Sequence, residues 1–276
     1  MEKVSCIICS SFNDNTILKI DNTKNNNFYS LSKCYNCDLV YLNPRIKEND
    51  IYLFYENNYL PHRKNADNVR DFIYFQFQRL TFTWKRKILS RYSFKNRLLL
   101  DIGSGNGSFC KYMNENKWSA KSYDKYSDLS DFKNFDDIRS NSFDCITLWH
   151  SIEHLYDLNS ALKKINEILK KNGTIFIACP NFKAAEMKYF NDTWAAIDAP
   201  RHLYHFTFNS MKELLKKHNI KIIRTHRMLQ DTFFNIYKSR KYSFLYKFIL
   251  SICSFFIIIF NKRKSSSLLF VCKPIK

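Results

Sequence analysis

Three of the four glycines in this 276-residue chain stand within five positions, as Gly103, Gly105 and Gly107. Glycine ordinarily makes up about 7% of a chain, so here it is placed rather than scattered. The three follow Leu98-Leu-Leu-Asp-Ile102, a short apolar run that reads as a buried strand, and precede a helical pattern through Phe109, Tyr112 and Met113. Glycine at a strand-to-helix turn permits positive φ and leaves no Cβ between the backbone and a ligand. The helix that opens there offers N–H groups without intrahelical acceptors. Such a turn commits the surrounding chain to a strand–turn–helix unit, the building block of an α/β sheet.

The rest of the sequence continues that alternation. Ile73, Phe77, Leu80, Trp84 and Ile88 recur at helical spacing before the glycines. After them, Trp118–Asp124, Phe143–Trp149, Thr174–Cys179, Lys221–Arg227 and Ser267–Lys273 read as strands. Leu158, Leu162, Ile165 and Leu169 form a helix face, closed by Lys171-Asn-Gly173 with the glycine expected in the left-handed C′ position. Ser210-Met-Lys-Glu213 reads as a capping box opening a helix to about His218. Strands alternating with helices imply a doubly wound, largely parallel sheet. The stretch from Lys125 to Asn141 is too short for a full strand–helix–strand unit, so one element there is expected to be reduced. Three regions follow: 1–45 marked by cysteines, 46–96 a helical linker or lid, and 97–276 the α/β domain with an apolar insertion at 244–260.

The loop chemistry narrows the ligand. Dinucleotide folds use G-x-G-x-x-G to cradle a pyrophosphate. Here the spacing is G-x-G-x-G, Ser108 stands where the third dinucleotide glycine would fall, and Asp101 precedes the loop. An acid at that point disfavours a diphosphate and favours a cation such as an amino-acid ammonium. Asp124 ends the next strand about 20 residues on, where ribose hydroxyls are accepted. The set Asp101-x-Gly103-x-Gly105-x-Gly107 plus Asp124 resembles the cofactor site of class I S-adenosylmethionine-dependent methyltransferases. The resemblance covers roughly residues 95–276 and implies a Rossmann-like sheet whose last strand is antiparallel. It also implies that Asp101 and the glycines hold the methionine end of S-adenosylmethionine and Asp124 the ribose. An acid for the adenine stays open among Asp131, Asp136 and Asp137.

Nine cysteines, an odd number, and no secretory pattern in residues 1–15 point to a reducing cytoplasm. Cys6-Ile-Ile-Cys9 and Cys34-Tyr-Asn-Cys37 are two C-x2-C pairs, as expected of a small, closed zinc ribbon in which four cysteines hold a structural ion; Asp21–Asn27 reads as the loop within it. A domain of about 45 residues buries little surface, so metal would largely fold it. Cys110, Cys145, Cys179, Cys253 and Cys272 lie in apolar runs and read as core. The ribbon, followed by Val40-Tyr-Leu-Asn-Pro44 and later by Ala199-Pro-Arg-His-Leu-Tyr-His-Phe206, resembles bacterial methyltransferases of surface-polysaccharide or sugar biosynthesis.

Directly after strand Phe143–Trp149 stands His150-Ser-Ile-Glu-His154. As H-x-x-E-H it matches an inverted zinc-protease signature, but it follows a strand beside a cofactor loop instead of opening an isolated helix. By the resemblance, this strand end lies beside the transferred methyl group. Methyl transfer from a sulfonium is largely a matter of positioning, and a hydroxyl acceptor also needs a base, which histidine suits. His150, His154 and His202 are therefore expected at the reaction centre, one as base, with Glu153 orienting a histidine or substrate; His205 falls on the same edge. A metal-assisted variant would use His150, Glu153, His154 and a distal histidine as ligands.

Net charge is +19, and after Pro200 there are 16 Lys or Arg against 2 Asp or Glu. The apolar run Phe248–Phe260, extended by Phe244 and Leu245, is bracketed by Arg240, Lys241, Lys262, Arg263 and Lys264. It is too short for an ordinary membrane span, and strands on both sides of it in one sheet exclude a single crossing. What remains is a buried helix or a helix lying on an anionic membrane surface; the second is favoured, with the protein cytoplasmic and peripheral on the inner face of the membrane. The sequence thus points to O-methylation of a sugar, glycan precursor or related small molecule. A nucleic-acid (RNA) methyltransferase and a non-catalytic scaffold are the alternatives.

Overall fold

The computed structural model describes residues 1–22, 27–55, 69–92, 94 and 96–275. Strands β1 (Asp14–Asn22) and β2 (Asn27–Cys34) form an antiparallel hairpin, and β3 (Val40–Leu42) adds to β2 in antiparallel sense. Residues 23–26 of the expected Asn-rich loop lie outside the described residues. Helix α1 runs Val69–Leu89; the side chains of Ile73 and Phe77 also lie outside the description, while Ile88 and Leu89 are buried.

The main sheet comprises β4 (Leu98–Ile102), β5 (Ser119–Tyr123), β6 (Phe143–Trp149), β7 (Leu169–Pro180), β9 (Ile220–Arg227) and β10 (Ser267–Pro274). Its order is β5-β4-β6-β7-β10-β9, with β4 parallel to β5 and β6, and β10 antiparallel to β9. This is the Rossmann-like sheet with an antiparallel closing pair that the sequence leads one to expect. Helices α2 (Ser108–Glu115), α3 (Leu158–Ile168), α4 (Met187–Phe190), α5 (Phe208–Lys217), α6 (Leu229–Lys238) and α7 (Phe244–Phe260) complete the chain. All seven residues of β6 are buried, as a central strand covered on both faces requires. Between β5 and β6 the expected reduction is seen: a bridge from Tyr123 to Phe132 and a single 3-10 turn, Phe135–Asp137.

Three local expectations are corrected. Gly173 is not a helix C′ residue: α3 ends at Ile168, Gly173 lies inside β7, and its φ is not positive. Space explains the glycine, since a Cβ there would stand 2.9 Å from the Lys170 carbonyl oxygen and 2.6 Å from Leu169 Cγ. The capping box is Thr207–Ser210 rather than Ser210–Glu213. The Ser210 N–H donates to Thr207 Oγ1 (3.1 Å) while the Thr207 N–H donates to Ser210 Oγ (2.9 Å). Finally, the motif around His202 and His205 is not simple loop. Strand β8 (Tyr204–His205) pairs with β3, Val40 opposite His205 and Tyr41 opposite Tyr204.

The chain divides into two compact units. One holds Met1–Phe54, His150–Leu162 and Ile177–Lys276; the other holds Tyr55–Trp149 and Lys163–Phe176.

Candidate active site

The unit formed by Tyr55–Trp149 and Lys163–Phe176 contains the glycine turn. Gly103, Gly105 and Gly107 have φ of 73°, 56° and 72°, all in the left-handed region that side chains rarely adopt. Gly107 has no heavy atom within 4 Å of a would-be Cβ, so its conformation, not crowding, calls for glycine. The loop's amides are largely engaged within the protein. The Gly103 and Ser104 N–H groups donate to Tyr123 O (2.8 and 3.2 Å), Gly105 to Asp124 Oδ2 (2.8 Å), and Gly107 to Ser104 O (3.1 Å). A diphosphate cradle needs such amides pointing at the ligand; this loop presents carboxylates instead.

Asp101 is one of them. Parallel register sets it opposite Thr147, whose hydroxyl donates to Asp101 Oδ1 at 2.6 Å. Burial drives its pKa up to about 6, against the Thr147 bond and the Lys85 charge, which pull it down. Asp124 accepts Gly105 on one oxygen and the Tyr126 and Ser127 amides on the other (2.9 and 3.1 Å). It therefore shapes the turn as well as facing it. Asp131 is taken up by the Ser122 amide and hydroxyl and by Lys121, and so serves the fold.

A cation site adjoins in the same unit. The Lys85 ammonium lies 4.4 Å from the Trp149 ring centroid, 5.1 Å from Phe109 and 5.6 Å from Phe82. Trp149 meets Phe109 and Trp84 edge-on. Aromatic faces clustered in this way attract ammonium and sulfonium groups. Lys85, Phe82, Phe109 and Thr147 were not singled out by sequence; the visible signal was Phe82 and Lys85 at an i,i+3 spacing on α1.

The histidines belong to the other unit. His150 has φ 55°, unusual for a residue with a side chain, and its N–H donates to Ala178 O (2.9 Å). Its Nε2 is 2.9 Å from Asp231 Oδ2 and its Nδ1 3.5 Å from Glu153 Oε1. Burial works against charge on His150, but these two carboxylates hold its pKa above the ordinary imidazole value. Burial likewise works against charge on Glu153, yet His150 holds it well below the usual range. Asp231 was missed by sequence, although it is one of only two acids after Pro200.

Glu153, His154 and His202 form a second cluster, with ligand-capable atoms all within 4.8 Å of one another. The two rings meet edge-on at 4.7 Å. Burial, reinforced by the neighbouring His202, lowers the His154 pKa to about 4 and that of His205 to about 3. Hydrogen bonds then run from the cluster into the β1–β3 region. Leu203 N–H donates to Glu153 O and Leu42 N–H to Leu203 O, both at 2.9 Å. Tyr156 donates to Ile46 O (3.0 Å), and the Arg45 guanidinium lies 4.7 Å above the Tyr156 ring.

Cys6, Cys9, Cys34 and Cys37 converge, with Sγ separations of 3.3 Å (Cys6–Cys37) and 3.5 Å (Cys9–Cys34), and no disulfide forms. Four thiolates about 2.3 Å from one ion stand roughly 3.8 Å apart, so the set fits a tetrahedral metal. The two knuckles are built alike. Ser10 and Asp38, each four residues past the first cysteine of its pair, take φ of 59° and 60° and donate to the carbonyls of Cys6 and Cys34.

The sequence profile of a family described as "Methyltransferase domain" matches residues 75–225. Among solved structures, the chain is similar to a SAM-dependent methyltransferase from Archaeoglobus fulgidus, at 19% identity over 72% of this chain and 99% of that one, TM-score 0.47. It is also similar to a Burkholderia thailandensis 1,6-didemethyltoxoflavin-N1-methyltransferase with bound S-adenosylhomocysteine (14%, 65% and 71%, TM-score 0.41). A third is phosphoethanolamine N-methyltransferase 2 of Haemonchus contortus (15%, 70% and 53%, TM-score 0.45). No curated protein matches the sequence.

Proposed function

The chain belongs to the methyltransferase domain family and is an S-adenosylmethionine-dependent methyltransferase; on that premise we propose that it methylates a hydroxyl of a sugar, glycan precursor or related small molecule. One observation carries the cofactor assignment. The Asp101–Gly107 turn engages its own amides and offers buried acid, which suits an amino-acid ammonium and not a diphosphate. Asp101 and the turn would hold the methionine end and Asp124 the ribose. Bound there, S-adenosylmethionine supplies an electrophilic methyl group.

The acceptor assignment rests on the histidines. His150, held as a cation between Asp231 and Glu153, is a fixed charge and a poor base. His154 and His202, beside the Glu153 carboxylate, are the groups that would meet the acceptor's hydroxyl. Structural zinc on Cys6, Cys9, Cys34 and Cys37 would hold the β1–β3 sheet that backs this cluster. The test is incubation with methyl-labelled S-adenosylmethionine and fractionated glycan, lipid-linked glycan and RNA acceptors. Label in alkali-stable ether on sugar supports the reading. Label in RNA with steep salt dependence would replace it, and cofactor binding without any transfer would favour the scaffold.

The proposed workplace is an anionic membrane surface. Helix α7 buries Leu250, Ser251, Ser254 and Ile258 along one stripe. At 100° per residue, Phe244, Leu245, Phe248, Ile249, Ile252, Phe256, Ile259 and Phe260 fall within an arc of about 160° on another face, and all eight are exposed. That face carries no charged residue, Arg240, Lys241, Lys262, Arg263 and Lys264 lie just outside the helix ends, and no acid follows Asp231. Among the described residues no helix is long and apolar enough to cross a membrane. Sedimentation with phosphatidylglycerol vesicles, lost on Phe248→Glu with Ile252→Glu, supports the assignment; equal binding by the double variant would refute it.

A further inference from the structure

Each atom that Glu153, His154 and His202 can offer a ligand is an acceptor. A main-chain carbonyl only accepts, so His154 Nδ1 donates to Arg201 O (3.0 Å) and His202 Nδ1 donates to Ala196 O (2.8 Å). In the neutral form of either ring the lone pair then sits on Nε2. Glu153 is wholly buried, and neither of its oxygens accepts a hydrogen bond; the nearest cation, His150 Nδ1, is 3.5 Å away. Three groups that can each offer a lone pair stand within 4.8 Å of one another; His150 faces only the Glu153 Oε1 at 3.5 Å, and buried charge is ordinarily paired or bound to metal. Two imidazoles, each with its other nitrogen tied to a carbonyl, are oriented as metal-binding histidines are. Together with one carboxylate they make a donor set that takes a divalent first-row metal and leaves positions open.

We propose that Glu153, His154 and His202 form a binding site for one divalent transition-metal ion, separate from the four cysteines. His150 is not a ligand, because its two nitrogens face Asp231 and Glu153 as donors. Asp198 Oδ2, 3.7 Å from His202 Nε2, is a further oxygen within reach. Ligand atoms at about 2.1 Å from one ion stand roughly 3 Å apart, so small side-chain rotations close the cluster. The consequence for substrate rests on the methyltransferase reading above. An ion with open positions lowers the pKa of a bound hydroxyl and selects acceptors that chelate through two adjacent oxygens, as a sugar diol does. As the oxygen–methyl bond forms and the sulfur–methyl bond breaks, the sulfonium becomes a neutral thioether and the hydroxyl proton passes to water.

The test is electron paramagnetic resonance of the full, zinc-loaded chain titrated with Mn2+, an ion that thiolate sites bind poorly. The expected result is one bound Mn2+ per chain, with pulsed spectra showing two imidazole nitrogens. Affinity should fall about 100-fold in Glu153→Gln and His202→Asn. The wild-type nitrogen couplings give an answer even if a variant fails to fold. No Mn2+ bound by the wild type, or a bound ion without nitrogen couplings, overturns the site. If that ion is present in a chain that methylates nothing, the site stands and the reaction assignment falls. Methyl transfer unaffected by EDTA in a chain that binds no Mn2+ leaves the reaction standing and removes the metal.

Discussion

The glycine turn and the histidine cluster are built on opposite principles. The turn is local: Asp101 through Gly107, with Thr147 and Asp124 from neighbouring strands, shape one strand-to-helix bend. The histidine cluster is assembled from two distant stretches of chain and supported by a third. Glu153 and His154 come from the turn after β6, His202 precedes β8, and β8 is held in place by β3, far earlier in the chain. One part takes its geometry from backbone conformation. The other takes it from tertiary hydrogen bonds that end at the cysteine knuckles.

The sharpest way to break this contrast is to remove the metal proposed for the knuckles. Metal in such small sites supplies about 10 kcal/mol or more of folding free energy. Cys34→Ser should therefore abolish methyl transfer and introduce an early melting transition. Affinity for S-adenosylhomocysteine, measured by calorimetry, should stay within about threefold, because the turn does not depend on β3. Parallel loss of both would mean that the two parts are not separable.

Asp101→Asn should do the reverse. Cofactor affinity should drop about 100-fold or more, the effect of losing a buried charge partner. The folded carboxyl has its pKa raised, so its stabilising contribution belongs to low pH and is lost as pH rises through about 6. At pH 7 the ionised group burdens the fold by on the order of 3 kcal/mol, and melting should show the variant at least as stable as the wild type. A destabilised variant would count against this role.

The same group sets a pH limit. Below about pH 6 Asp101 takes up its proton and loses its attraction for an ammonium, so cofactor affinity should fall towards tenfold per pH unit. Calorimetry across pH 5–8 gives the profile; a flat one would exclude Asp101 as the partner. The smallest effect belongs to Lys85→Met. Lys85 lowers the Asp101 pKa, so its removal should move that limit upward, by less than about one unit. A downward move would contradict the assignment.

What the sequence disclosed follows the same division. Gly103, Gly105 and Gly107 were legible because a turn with three positive φ values demands glycine wherever the chain goes next. The eight-residue strand β10 and the parallel core strands were legible from continuous apolar runs. The β3–β8 pairing was not, because β8 has two residues and its partner is remote. Asp231 as the partner of His150 was hidden for the same reason. Gly173 misled because Asn-Gly after a helical stripe usually marks a C-cap, whereas here the helix stops earlier and β7 begins at Leu169.

Titration of S-adenosylhomocysteine into the full-length chain at pH 7.5, beside NADH as control, bears most directly on the cofactor assignment. One-to-one binding with clear heat for the thioether nucleoside and none for NADH is the expected result. Heat with NADH and silence with S-adenosylhomocysteine would contradict it.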